Sequence, residues 1–370
     1  MSPSAELARL QRAPAEHIHV KTKSKCVEST RTAVQASLLN HLRQGENRFV
    51  WLRGSPGTGK TAVSLGLAST LKSKGTLAAS FFWDKNQKGK DLDSIQLFPS
   101  ALARQLADFN KDFRMSLINY LRQSSLALPQ DLPPETQMEA LIVGPMNDLR
   151  DILCPSKDRF VIVLDGLDEC GGPMTLKVLM KLVLMLDSLP PCFAVLVSCR
   201  PEQQVISAWS DAEACGHCIP HEDLDHINWI EAFHTTRRMV EDGLKDVIRR
   251  SEWKPSSGDL DTFTHGCRVM ASIRIHDVCT RLECGRTLES EFEYFRSLQS
   301  PPNDVNKEYL RILRQAYITD SSGIRPQVGR NYHDHSWDND WSSRATECCR
   351  HVAAPSDQEG RSSCDNQLDS

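Results

Sequence analysis

A chain of 370 residues with 44 lysines and arginines against 48 aspartates and glutamates has a formal net charge of −4, which argues against a histone-like or wholly basic nucleic-acid binder. The length corresponds to about two domains at roughly 100 to 200 residues each and excludes a small stapled scaffold. Hydrophobic residues make up 40% and charged ones 25%, as in soluble globular proteins, and the odd count of 13 cysteines, scattered through apolar and polar segments, reads as reduced thiols of a cytoplasmic protein.

In chain order, Met1–Ser24 is polar without a clear period and reads as a loose arm. Ser29–Leu42 reads as a helix, since Val34, Leu38, Leu39 and Leu42 fall on one face. No basic start leads into an apolar stretch at Met1–Leu10, so no leader is expected. The run Phe49-Val50-Trp51-Leu52 predicts a buried strand entering a glycine-rich turn, and Ala62–Leu71 a helix. Leu77–Trp83 predicts a second strand, followed by the polar loop Asp84–Asp91 and a helix over Ile95–Phe109. Ser124–Pro134 is a loop, Gln137–Leu153 a helix with Gly144-Pro145 inside it, and Phe160–Leu164 a third strand. A helix over Thr175–Leu186 precedes the fourth strand, Phe193–Ser198. The most apolar window, Leu176–Leu189, is broken by Lys177, Lys181 and Asp187, so no membrane span is expected. Alternation of strand and helix predicts an α/β three-layer sandwich around a mainly parallel sheet. After His221 pure apolar runs cease, and Leu224–Arg250, Leu260–Arg281 and Thr287–Tyr317 read as amphipathic helices of a small all-α region. The tail from Thr319 is Ser, Asp, Asn, Arg and Gly with few aliphatics and reads as disordered. The expected division is an arm and helix at 1–45, a nucleotide-binding domain at 46–220, a helical domain at 221–318 and a tail at 319–370.

The strongest chemical signal is Gly54-Ser55-Pro56-Gly57-Thr58-Gly59-Lys60-Thr61, a full GxxxxGK[ST] match between a predicted strand and a predicted helix. Glycines let successive backbone N–H groups curl around phosphate, the helix N-terminus adds its positive dipole end, Lys60 reaches the β- and γ-phosphates, and Thr61 ligates Mg2+. The second signal is Val161-Ile162-Val163-Leu164-Asp165-Gly166-Leu167-Asp168-Glu169, an apolar strand that delivers acids to its end. Asp165 is placed to hold Mg2+, and Asp168 or Glu169 to polarise the attacking water. The third is Ala194–Pro201, whose Arg200 follows a buried strand that ends at the same crevice of a parallel sheet and is a candidate sensor of the γ-phosphate. Asp168 stands where a DxxG switch has glycine, and Asn306-Lys307-Glu308-Tyr309 fails the NKxD pattern, so ATP is preferred to GTP. Cys215, His217, Cys218 and His221 lack a second ligand pair with zinc spacing and read as a partly buried strand-end cluster; Cys348-Cys349 with His351 is weaker still.

With these elements in order, the chain resembles the NACHT family of P-loop NTPases, of the STAND class of signalling ATPases, as found in mushroom-forming fungi. The resemblance spans Cys26–Tyr317 and is carried by Cys26-Val27-Glu28-Ser29-Thr30-Arg31, Gly54–Thr61, Ala79-Ser80-Phe81-Phe82-Trp83 and Gln137–Met146. Further carriers are Asp165-Gly166-Leu167-Asp168-Glu169-Cys170, Ser198-Cys199-Arg200-Pro201-Glu202 and Tyr309–Leu313. It implies that the strand ending at Ser198 lies between those ending at Gly54 and Asp165, and that the helical region packs over the nucleotide. It also implies an ATP/ADP switch with slow Mg2+-dependent hydrolysis, self-association or protein partners, and a role in innate immunity or self/non-self recognition. Typical relatives continue into a winged helix and a repeat sensor, which the residues after Tyr317 do not house, so the chain reads as truncated before them. Arg268 and Arg274 stand where the family has a more apolar helix and are expected to weaken its packing against the nucleotide domain. Two other readings stay open: a non-catalytic adaptor or remnant that binds partners through the helical half, and a P-loop kinase or ordinary ATPase.

Overall fold

The computed structural model describes residues 3–20, 31–87, 89–122, 131–153, 159–227, 229–264, 268–283 and 285–297. Cys26–Thr30, Tyr309–Leu313, Cys348, Cys349, His351 and the expected tail at 319–370 lie outside them. The chain divides into two compact units, Met1–Glu293 and Tyr294–Ser370; helix α13, Leu288–Ser297, spans the division.

The first unit is built on a parallel sheet in the order β2-β3-β4-β1-β5. Its strands are β1 Phe49–Arg53, β2 Leu77–Phe82, β3 Phe160–Asp165, β4 Phe193–Cys199 and β5 His221–Asp223. β4 therefore sits between β1 and β3, as the resemblance implies. Alternate residues of each strand enter two separate cores because strand side chains point to opposite faces. Phe49, Trp51, Phe81, Ile162, Leu164 and Val195 join one core with helices α4 Phe98–Phe109, α5 Lys111–Leu121, α8 Pro173–Met185 and α9 Gln203–Ala214. Val50, Leu52, Val161, Val163 and Leu196 join the other with helices α2 Thr32–Arg43 and α3 Lys60–Ser73. The result is an α/β/α sandwich with the strand ends of β1, β3 and β4 on one edge.

The N-terminal residues depart from the expected loose arm. Helix α1, Pro3–Ala8, and the turn after it bury Leu10, Ala13 and Ala15. The Phe82 N–H donates to the Ala15 carbonyl at 2.8 Å, the His17 N–H to Ser80 Oγ at 3.1 Å, and Arg104 Nη1 to the carbonyls of Leu7 and Leu10. This segment covers the open side of β2, which would otherwise present unpaired backbone groups. Sequence periodicity misses it because the few apolar residues dock on a strand edge and form no helical stripe.

The helix expected over Gln137–Leu153 is divided in three: α6 Pro134–Met138, a π-turn at Glu139–Val143, and α7 Gly144–Asn147. Pro145 has no N–H to give and its ring crowds the preceding turn, so the helix widens ahead of it. A Cβ at Gly144 would meet Tyr120 Cε1 of α5 at 2.7 Å, which explains the small residue there.

Beyond β5, helices α10 Trp229–Arg250, α11 Ser257–Thr264 and α12 Arg268–Glu283 pack on one another. A Cβ at Gly243 would lie 2.9 Å from Ile275 Cγ2, so α10 and α12 approach closely. Arg274 is buried, with Nη1 directed to the Phe263 carbonyl at 3.5 Å. This contact joins α12 to α11 within the helical region. Cys215 and Cys218 are exposed rather than partly buried.

At the opposite edge of the sheet from the loops, two arginines hold the strand beginnings. Arg159 is 8% exposed and donates to the carbonyls of Gln44 at 2.6 Å, Asn47 at 2.6 Å and Pro191 at 3.1 Å, and also to Phe193. Arg48 donates to the carbonyls of Leu189, Pro190 and Phe193. Replacing Arg159 with methionine keeps its bulk but strands several buried acceptors. We expect Arg159→Met to lower unfolding free energy by about 2 to 4 kcal/mol, read as a shifted denaturant midpoint at unchanged slope.

Candidate functional site

Three neighbouring strands end at the site. The register pairs Asp165 of β3 with Ser198 of β4, Ser198 with Leu52 of β1, and Arg53 with Cys199. The glycine-rich loop, the acidic turn and Arg200 therefore leave the sheet side by side, as the sequence predicts for parallel strands.

Positive backbone φ angles at Gly57 (81°) and Gly59 (96°) shape the phosphate loop, a region open to glycine at little cost. Gly54 is needed for a different reason: a Cβ there would lie 2.9 Å from Thr58 Oγ1 and 3.1 Å from Leu224 Cβ. Thr58 Oγ1 donates to the Ser55 carbonyl at 2.9 Å. Lys60 and Thr61 open helix α3, with Gly59 at its N-cap. Lys60 Nζ donates to the carbonyls of Gly54 at 2.6 Å and Ser55 at 3.0 Å, so the ammonium lies across the loop. Burial pulls the Lys60 pKa below its ordinary value, opposed by the charges of Asp168 and Asp165.

Asp165 is completely buried at the end of β3. The backbone then turns sharply: Gly166 has φ 79°, donates its N–H to the Ser198 carbonyl at 2.7 Å, and would place a Cβ 3.0 Å from the Trp83 carbonyl. Leu167–Glu169 form a single 3-10 turn. Asp168 Oδ1 accepts the Arg200 N–H at 3.0 Å, and Asp168 Oδ2 lies 3.0 Å from Arg200 Nε. The Asp168 side chain is 6% exposed and that of Arg200 35%, so the pair closes the gap between the ends of β3 and β4. Cys199 beside it is buried and burial drives its thiol far up, while Cys170 is pushed up to about 12 by burial; neither is a nucleophile at neutral pH.

The residues singled out from the sequence thus divide into three groups. Gly54 to Thr61 form the loop, Asp165 and Lys60 interact electrostatically, and Asp168 binds Arg200. Glu169 follows Asp168 on the same turn, with its N–H on the Gly166 carbonyl at 2.8 Å. The oxygen donors of Thr61 and Asp165 suit a hard cation such as Mg2+, and the buried Ser198 Oγ, with no hydrogen-bond partner among the described residues, adds another oxygen at the same strand ends.

Two further contacts were not legible in the sequence. Arg31, buried ahead of α2, donates from Nη2 to the Thr58 carbonyl at 3.3 Å. Asp225, after β5, accepts the Ser55 N–H at 2.9 and 3.0 Å. A three-residue strand of His, Glu and Asp offers no apolar run, so the sequence carries little sign that this segment reaches the loop.

Residues 31–200 match the family model described as Nephrocystin 3, N-terminal. The matched stretch runs from Arg31 to Arg200 and so contains the loop, the acidic turn and the arginine. No curated protein sequence matches the chain. Among solved structures, the fold is similar to the Walker-type ATPase PABY2304 of Pyrococcus abyssi, at 13% identity and TM-score 0.40 over 82% of this chain and 96% of that one. It is also similar to PCH-2 of C. elegans, at 12% identity and TM-score 0.39 over 71% of this chain and 66% of that one. Domain III of the Thermotoga maritima replication initiation protein DnaA is a third, at 10% identity and TM-score 0.36 over 78% and 93% of the two chains. The sheet order and the loop geometry are those of a P-loop NTPase fold, and they suggest nucleotide binding.

The turn at Gly166 admits no side chain without moving the Trp83 backbone. Gly166→Ala is expected to cost about 1 to 3 kcal/mol of stability, seen as a lower melting temperature; an unchanged melt would contradict the strained turn.

Proposed function

We propose that this chain is an ATP/ADP-binding switch of NACHT type with slow Mg2+-dependent hydrolysis. The observation that carries the reading is the meeting of Lys60, Asp165, Asp168 and Arg200 at the ends of three adjacent parallel strands, beside a glycine-rich loop. In this reading residues 46–220 bind nucleotide and 221–318 form the helical part. The loop amides and Lys60 hold the β- and γ-phosphates, with helix α3 contributing its dipole. Thr61 and Asp165 would hold Mg2+, which when bound draws charge from the phosphate oxygens.

Both oxygens of Asp168 are bonded to Arg200. That favours Glu169 over Asp168 as the group that polarises water, and gives Asp168 the role of aiming Arg200. The guanidinium, held on one side and partly exposed on the other, is suited to sense a γ-phosphate. A switch follows only if its two states differ in their contacts with that phosphate, and Thr61, Asp165 and Arg200 are the groups able to make the difference. The resemblance adds self-association, protein partners and a role in innate immunity or self/non-self recognition, and the odd count of scattered cysteines adds a cytoplasmic location. No helix among the described residues is long and apolar enough to cross a membrane.

The test is the nucleotide content of the purified protein, released by denaturation and identified by chromatography. Bound ADP or ATP is expected in the wild type, and Lys60→Ala should weaken binding about 10- to 100-fold. Normal retention in that variant would overturn the phosphate-loop reading. Asp165→Asn should lose the Mg2+ dependence of affinity. Glu169→Gln should slow turnover about 100- to 10,000-fold and spare binding; turnover untouched in that variant would make Asp168 the better base candidate.

A further inference from the structure

The phosphate loop is gripped from outside by the residues that follow β5. Asp225 accepts the Ser55 N–H through Oδ1 at 3.0 Å and Oδ2 at 2.9 Å, and the Ser55 hydroxyl through Oδ2 at 2.9 Å. The Ser55 carbonyl in turn receives Thr58 Oγ1 and Lys60 Nζ. Every polar group of Ser55 is therefore fixed, the N–H and hydroxyl by a residue 170 positions away in sequence.

Asp225 is itself held in place. Its N–H donates to Asp223 Oδ1 at 2.9 Å, and Asp223 Oδ2 accepts Arg53 Nε at 2.8 Å. Arg53 lies over the Trp51 ring, 5.4 Å from its centroid. Burial alone would raise the Asp223 pKa, but the Asp225 N–H, His226 and Arg53 bring it below the usual carboxylate range. Leu224, between the two acids, is buried against Gly54. β5 is tied to helix α2 by Glu222, which accepts Ser37 Oγ and lies 3.6 Å from His41 Nε2. These contacts make a relay from the sheet edge to one end of the loop, while helix α3 anchors the other end.

A loop whose glycines tolerate many conformations loses entropy when it closes on phosphate, and a scaffold that restricts it beforehand lowers that cost. Resting on the nucleotide reading above, we propose that Asp225 is a positioning residue for nucleotide binding. Its carboxylate pins Ser55 so that the remainder of the loop is already shaped for phosphate. Helix α10 begins at Trp229, immediately beyond. Asp225 therefore also ties the loop to the start of the helical segment, and by reciprocity whatever displaces that start weakens nucleotide binding.

Full-length wild type, Asp225→Ala, Asp225→Asn and Lys60→Ala are compared for affinity toward Mg·ADP and Mg·ATP by calorimetry. Hydrogen exchange of the peptide containing Ser55 is followed alongside. Asp225→Ala should weaken both nucleotides about tenfold, equivalent to about 1.4 kcal/mol, and speed exchange at Ser55. Asp225→Asn should recover binding to within about threefold, because a single amide oxygen accepts both the N–H and the hydroxyl. That rescue separates positioning from general loss of fold, which the melting temperature also monitors. Wild-type affinity in Asp225→Ala, beside lost binding in Lys60→Ala, would overturn this inference alone. Tighter binding in both Asp225 variants would also overturn it, because the carboxylate would then be repelling phosphate. Wild-type binding that is absent, or insensitive to Lys60→Ala, would overturn the nucleotide reading and this inference with it.

Discussion

A carboxylate without solvent exposure, at the end of an otherwise hydrophobic strand, is the constraint around which the molecule is arranged. A buried carboxylate is costly unless opposite charge is near, and the charges of Asp168 and Asp165 both act on Lys60 of the adjacent loop. Lys60 has the complementary difficulty, since burial lowers its pKa while the acids support its charge. The two groups come together because β1, β3 and the helix opened by Lys60 meet at one edge of the sheet. β4 between them contributes Ser198, whose carbonyl takes the Gly166 N–H and holds the turn that follows Asp165.

This meeting depends on strand register, which is secured far from the site. A slip of one residue along β3 would turn Asp165 toward the other face of the sheet. Arg159 and Arg48 oppose such a slip by donating to carbonyls that precede β1 and β4. The two cores act in the same sense, because alternating residues of each strand fill separate helical layers. The chemistry at one edge of the sheet is thus maintained by hydrogen bonding at the other.

The phosphate loop is also held by groups from outside its own motif. Arg31 reaches the Thr58 carbonyl from before α2, and Asp225 reaches Ser55 from beyond β5. The family-model match begins at Arg31 and stops at Arg200, so it takes in one of these supports and leaves out the other. Asp168 and Arg200 form a comparable brace across the ends of β3 and β4. The motifs are contiguous in sequence, and distant residues set the shape in which they are presented.

Where a motif is contiguous in the chain, its position in the fold was legible in the sequence. Strands β1, β3 and β4 are mostly apolar runs that lead into the candidate site residues, and the loop and acidic turn are contiguous, so their place at a common edge follows from parallel pairing. Helices α5 and α9 and the strand β5 were not read, and the N-terminal arm was read as loose although it packs on the edge of β2. Those elements owe their form to partners elsewhere in the chain: β5 is polar and pairs through its backbone, and the arm buries only scattered apolar residues. The pairing of Asp168 with Arg200, and the grip of Asp225 on Ser55, required the fold, because a hydrogen bond between residues far apart in sequence leaves no periodic trace in either segment.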